Sequence, residues 1–146
     1  MQTIFLEELG KNFIQYLDDE YLNQCYPVRS VLNHHILMSL SSDAPVVKNF
    51  NPLKGITAAL NRATKEGEII AADESISIAA ALKAYTINAA TIGGEDKFGS
   101  LQKGKLADFI ILDKNPIDTP VENMMDIKVL ATYIDGKKVW ALKNKN

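Results

Sequence analysis

The sequence predicts an α/β fold that holds only part of a parallel-sheet architecture, and three observations carry that reading. A helical stretch feeds a short apolar run, Ile36-Leu37-Met38-Ser39-Leu40, of the kind buried on both faces of a parallel sheet. Further helical patterns follow, as in a helix–strand–helix unit of a parallel α/β fold. The last third then turns β-rich. Only one strand of barrel type is evident, although a parallel strand needs neighbours on both sides to satisfy its backbone groups.

Each element has a local cause. Leu6, Leu9, Phe13, Tyr16 and Leu17 recur at helical spacing, interrupted by Gly10. Asp18-Asp19-Glu20 reads as a solvated charge run. Pro27 opens a helix with Val28, Val31 and Leu32 on one face, which stops near His34-His35. After the Ile36–Leu40 strand, Ser41-Ser42-Asp43-Ala44-Pro45 breaks the chain direction, and Asn51-Pro52 caps and starts the next helix. Leu53, Ile56 and Leu60 form its apolar stripe, and Glu66-Gly67 marks a turn.

One continuous helix is predicted from Ser77 to Gly93-Gly94, with Ile78, Ala81, Leu82, Tyr85, Ala89 and Ile92 on one face. Gly99 to Lys105 is a turn without phosphate-loop spacing. Phe109–Leu112 is a strand. Thr119-Pro120-Val121-Glu122 has capping-box spacing ahead of a short helix. Val129 to Ile134 and Lys138 to Leu142 are strands joined by the tight turn Asp135-Gly136.

Composition narrows the function. The chain has 146 residues, 47% hydrophobic and 23% charged, a globular profile. A formal net charge of −2 gives no electrostatic footprint for nucleic acid or an anionic membrane, and neither is expected as a partner. The basic end, Lys137, Lys138, Lys143 and Lys145, reads as a solvated tail. The lone Cys25 excludes an internal disulfide and cysteine-based zinc motifs, and fits a reducing cytosol. No secretory pattern opens the sequence, so a cytoplasmic location is expected.

Asp43 is the strongest candidate for chemistry. It follows an apolar strand at the end where parallel α/β folds build their sites, and its carboxylate suits metal ligation or proton transfer. The competing reading is a turn-shaping aspartate before Ala-Pro. His34 and His35 precede the strand and so belong at its opposite end, as caps or surface groups. Cys25 reads as an inert thiol, and Tyr85 as a core residue with a satisfied hydroxyl.

Several segments together resemble the C-terminal portion of the amidohydrolase superfamily, in particular its large metal-dependent hydrolases of the exoenzyme-regulatory type. They are Ser42-Asp43-Ala44-Pro45-Val46, Asn51-Pro52-Leu53-Lys54-Gly55-Ile56 and the helix with Ala84-Tyr85-Thr86-Ile87-Asn88-Ala89-Ala90. Gly99-Ser100-Leu101, Lys103-Gly104-Lys105-Leu106-Ala107-Asp108-Phe109, Asn115-Pro116 and the Asp135-Gly136-Lys137 hairpin complete the series, in family order.

The resemblance implies a fragment of a (β/α)₈ barrel with strands of an attached β-sandwich. Residues 1–98 would be the end of strand seven, strand eight and helices, and 99–146 the sandwich strands and hairpin. It implies hydrolysis of an amide-type C–N bond by metal-activated water. Asp43 would be both metal ligand and catalytic base. The complete enzyme would carry a divalent metal, zinc foremost, and this chain alone none. The family's paired histidines are missing, and Ser41 and His35 stand where the family favours glycine.

Whether this chain alone is an enzyme therefore stays open at the level of sequence. Its expected partners are the missing barrel half, or a second copy in a homodimer that covers open strand edges. A small-molecule substrate would bind only a completed barrel. The alternative is a non-catalytic remnant that acts as a self-associating or interaction module.

Overall fold

A computed structural model describes residues 1–143. Lys145 lies outside the described residues. The chain is a mixed α/β fold of six α-helices and one three-stranded antiparallel sheet among those residues.

The first helix, α1 (Ile4–Tyr16), follows the expected stripe and buries Ile4 and Leu6. Gly10 is there for packing: a Cβ at this position would meet the Thr64 Cγ2 at 2.6 Å. The charge run at 18–20 coils into a single turn, α2 (Asp19–Leu22), all of it away from the core. Pro27 caps α3 (Val28–Asn33) rather than sitting inside it. His35 then takes φ 56°, the left-handed conformation in which a family glycine would be at ease.

Asn51 caps α4 (Pro52–Asn61) as its sequence requires, accepting the Leu53 amide on its side chain at 3.0 Å. Gly67, at φ 93°, lets the chain turn back so that Ala63 and Ile69 form an antiparallel bridge. Ser77 caps α5 (Ile78–Tyr85) through the Ala80 amide. The expected single helix is in fact two, because Thr86 leaves helical geometry before α6 (Ile87–Ile92) begins. The Thr86 hydroxyl donates to the Leu82 carbonyl at 2.7 Å, and the Thr86 amide turns to Lys83. A threonine that bonds back four residues competes with the helical ladder.

The sheet is a meander of β1 (Phe109–Leu112), β2 (Val129–Ile134) and β3 (Lys137–Ala141). Phe109 lies opposite Tyr133, and their rings stack at 4.5 Å. Asp135 and Gly136 have φ 49° and 70°, the pair of left-handed residues that a type I′ hairpin needs. Lys137 and Lys138 are part of β3 rather than of a free tail. The expected capping box is not made: the Thr119 hydroxyl donates to Asn115, and Val121–Asp126 forms a 3₁₀ helix capped by Pro120.

That 3₁₀ helix ties the two halves together. Met124 and Ile127 enter the same core as Val28, Leu40, Leu53, Ile56 and Ala81. Ile36–Leu40 is extended through this core but joins no strand ladder. Met38 and Leu40 are 4% and 3% exposed, whereas Ile36 and Leu37 are 56% and 50% exposed. The expected strand, covered on both faces, is therefore covered only toward its carboxyl end. Among the described residues, no helix is long and apolar enough to cross a membrane.

Candidate functional site

The neighbour of the extended segment is the chain's first residue. The Met1 nitrogen donates to the Ser39 carbonyl at 2.7 Å, and the Ser41 amide donates to the Met1 carbonyl at 3.0 Å. One residue bonded to positions 39 and 41 of its neighbour is the pattern of a parallel pair. Met1 and Leu40 thus lie side by side and run the same way. The residues that follow each, Thr3 and Asp43, emerge at one common end. Thr3 is fully buried there and donates its hydroxyl to the Gly55 carbonyl at 2.8 Å.

Asp43 sits in the tight turn Asp43-Ala44-Pro45-Val46, whose Ala44-Pro45 bond is cis. The Val46 amide closes the turn on the Asp43 carbonyl at 2.9 Å. Asp43 takes φ 53°, which aspartate tolerates better than most residues, and its side chain is exposed. Asp43 therefore shapes this turn, as the turn reading of its sequence expects.

Tyr26 is held close by. Its ring packs edge-on against Phe5 at 6.4 Å and against Phe13 at 6.2 Å. Burial pushes its phenol above the usual range, and the nearby charges of Cys25 and Asp43 add to the effect. The turn that carries it is gripped by Arg62, which is fully buried at the end of α4 with φ 59°. The Arg62 guanidinium donates to the carbonyls of Ile70 at 3.1 Å, Tyr26 at 3.0 Å and Cys25 at 2.5 Å. Burial lowers this guanidinium to about 10, against the opposing pull of Glu74. The Cys25 thiol is raised by burial, against the opposing pull of the Arg62 charge. Neither Tyr26 nor Arg62 could be singled out from sequence, because Tyr26 packs on rings, and Arg62 bonds to carbonyls, of segments distant along the chain.

His34 and His35 lie before Ile36, at the opposite end of the extended segment from Asp43. Among the described residues no three His, Cys, Asp or Glu side chains converge. Asp43 alone does not fit a catalytic metal, which takes about three protein ligands. Tyr85 departs from expectation too. Its hydroxyl is buried against Gly55 with no hydrogen-bond partner, and burial raises it to about 12.

A cavity of about 480 Å³ adjoins the loop that follows Asp43, lined by Glu8, Lys48, Asn49, Phe50, Asn51 and Lys65. A second, of about 630 Å³, lies between the α5–α6 junction and the sheet, and no residue of the Asp43 turn lines it.

Comparison with known proteins gives a consistent result. Residues 1–140 match the sequence profile of the Amidohydrolase family. The N-substituted formamide deformylase of Arthrobacter pascens is 36% identical over 112 residues, 76% of this chain and 20% of that protein. A metal-dependent hydrolase of Pyrococcus furiosus superposes with a TM-score of 0.66 at 25% identity, over 80% of this chain and 23% of the other. A second, from Pyrococcus horikoshii, gives a TM-score of 0.71 at 24% identity, over 84% and 25%. The chain spans about a fifth of the length of the curated relatives it matches.

Proposed function

The chain belongs to the amidohydrolase family, as a C-terminal portion, and we propose that it is the segment of a metal-dependent hydrolase that delivers Asp43 to the catalytic site. In this reading residues 1–98 are the end of strand seven, strand eight and helices of a (β/α)₈ barrel, and 99–146 are strands of the attached sandwich. The reaction is hydrolysis of an amide-type C–N bond by metal-activated water. The resemblance to a formamide deformylase supports that bond class. The divalent metal, zinc foremost, is held mainly by residues outside this chain, so the chain alone is inactive.

One observation carries the reading: the parallel bonds of Met1 to Ser39 and Ser41. They set Asp43 at the carboxyl end of two parallel segments, where barrel enzymes gather their catalytic groups. There the Asp43 carboxylate would supply one oxygen ligand and accept a proton at its Oδ. Its exposure in this chain agrees with a face that other barrel strands would cover.

A second reading, a self-associating module, is favoured by the sheet. Ile110, Ile134, Trp140 and Leu142 are all exposed on or beside it, and grouped exposed apolar side chains of this kind mark association surfaces.

A graft tests the first reading. This chain would replace the matching fifth of the Arthrobacter deformylase, and hydrolysis of an N-substituted formamide would be followed. The expected result is metal-dependent activity that falls by about a hundred- to ten-thousandfold with Asp43→Asn. A folded graft whose Asp43→Asn variant keeps its activity would refute the role of Asp43.

A further inference from the structure

Tyr26 is a strained residue held from several sides. It takes φ 49°, a left-handed conformation that is uncommon for a bulky side chain. Such outliers persist where the surroundings over-determine them, and they gather at functional sites. The surroundings here are specific. The buried Arg62 guanidinium donates to the carbonyls of both Cys25 and Tyr26, and the Val28 amide adds a bond to the Tyr26 carbonyl at 2.7 Å. The ring is packed against Phe5 and Phe13. Backbone and ring are thus both fixed, while the hydroxyl makes no hydrogen bond among the described residues.

The path of the chain brings this phenol to the end where Asp43 sits. The helix α3 starts two residues after Tyr26 and runs to His34-His35. There the chain turns back, with the Ile36 amide bonded to the Val31 carbonyl at 3.1 Å. The start of α3 therefore lies toward the end of the Ile36–Leu40 segment, and Val28 and Leu40 share one core. From the other side, Phe5 stands two residues beyond Thr3, which emerges at that same end. Two elements thus deliver the Tyr26 ring there independently. Burial first, then the charges of Cys25 and Asp43, keep its hydroxyl protonated well above neutral pH.

We propose that Tyr26 is a catalytic residue of the hydrolysis: its hydroxyl, fixed by Arg62 and the two rings, donates a hydrogen bond to the carbonyl oxygen of the substrate amide as that oxygen gains negative charge. A donor held in place before the reaction stabilises developing charge without reorganising at the moment it is needed. The proton stays on Tyr26 throughout. The inference deepens the proposed function and rests on it, since it needs a catalytic site at the Asp43 end.

Placement is tested on this chain alone, by labelling its tyrosines with carbon-13 at the ring carbon that bears the hydroxyl and following Tyr26 by NMR as pH rises. The Asp43→Asn variant is expected to titrate at lower pH than the parent, because a negative charge near the phenol has gone. An unchanged titration would set the phenol apart from Asp43 and overturn the proposal. The role itself is tested in the deformylase graft with an N-substituted formamide. Tyr26→Phe keeps the ring and its packing, and is expected to lower kcat by about a hundred- to thousandfold while KM changes little. Unchanged kcat, or a loss confined to KM, would rule out the donor. The Asp43→Asn graft keeps the two readings apart. Activity lost with Asp43→Asn but kept with Tyr26→Phe removes only the phenol, whereas the reverse supports the phenol and removes the role of Asp43.

Discussion

Two apolar segments of nearly equal length, Ile36–Leu40 and Phe109–Leu112, have opposite fates. The second pairs residue by residue with β2 and becomes a strand. The first, apolar apart from Ser39, has one backbone neighbour at Met1 and single bonds to Ala84 and Asn88. Strand formation thus depends on the partners a chain supplies as much as on the residues of the segment. The sheet stands on its own ladder. The extended segment depends on clamps from helices and turns, and those clamps arrange the end of the molecule where Asp43 sits.

The contrast can be broken most sharply with proline. Ala131→Pro removes an amide from the central strand and is expected to cost about 3 kcal/mol or more. The Leu37 amide makes no bond among the described residues, so Leu37→Pro should cost clearly less. Urea unfolding of both variants decides it, and equal losses would show that the extended segment behaves as a strand after all.

Arg62→Met attacks the clamps. It takes the Arg62 donor from the carbonyls of Ile70 and Cys25 and leaves the Tyr26 carbonyl only the Val28 amide, and a loss of about 3 kcal/mol is expected, measured by the same unfolding midpoint. Gly55→Ala sharpens the packing argument. The new methyl would lie 2.0 Å from the Tyr85 hydroxyl, so a loss of about 1–3 kcal/mol is expected. Tyr85→Phe removes that oxygen together with its unsatisfied burial, and the double variant should recover much of the loss. An additive pair would place the strain elsewhere.

The smallest effect concerns acid. Glu74 accepts the Ser30 amide and hydroxyl, which together with the Arg62 charge outweigh desolvation and hold its carboxyl below the ordinary range. A depressed carboxyl stabilises the fold above its unfolded value, and that contribution fades as pH falls through the folded value. Glu74→Gln should therefore cost about 1 kcal/mol at neutral pH and nothing in strong acid, read from thermal melts across that window.

Much of this was legible because its cause is local. Asn51-Pro52, Ser77 and Asp135-Gly136 act within a few residues, and each forms the expected cap or turn. The position of Asp43 after an apolar run was legible as well. The rest depends on distant partners. Whether Ile36–Leu40 finds a ladder, whether the Tyr85 hydroxyl finds an acceptor and where Arg62 points are set by tertiary packing. The Thr86 break lay between. A hydroxyl in mid-helix is a visible signal, but alanine-rich surroundings favour continuity.

The central claim is that Asp43 stands at a metal-binding end completed from outside this chain, and metal affinity tests it most directly. Zinc would be titrated calorimetrically into the deformylase graft, into its Asp43→Asn variant and into this chain alone. The account expects binding by the graft, at least about tenfold weaker binding by the variant, and no stoichiometric binding by the chain alone. Equal affinity of the graft and its variant would contradict it.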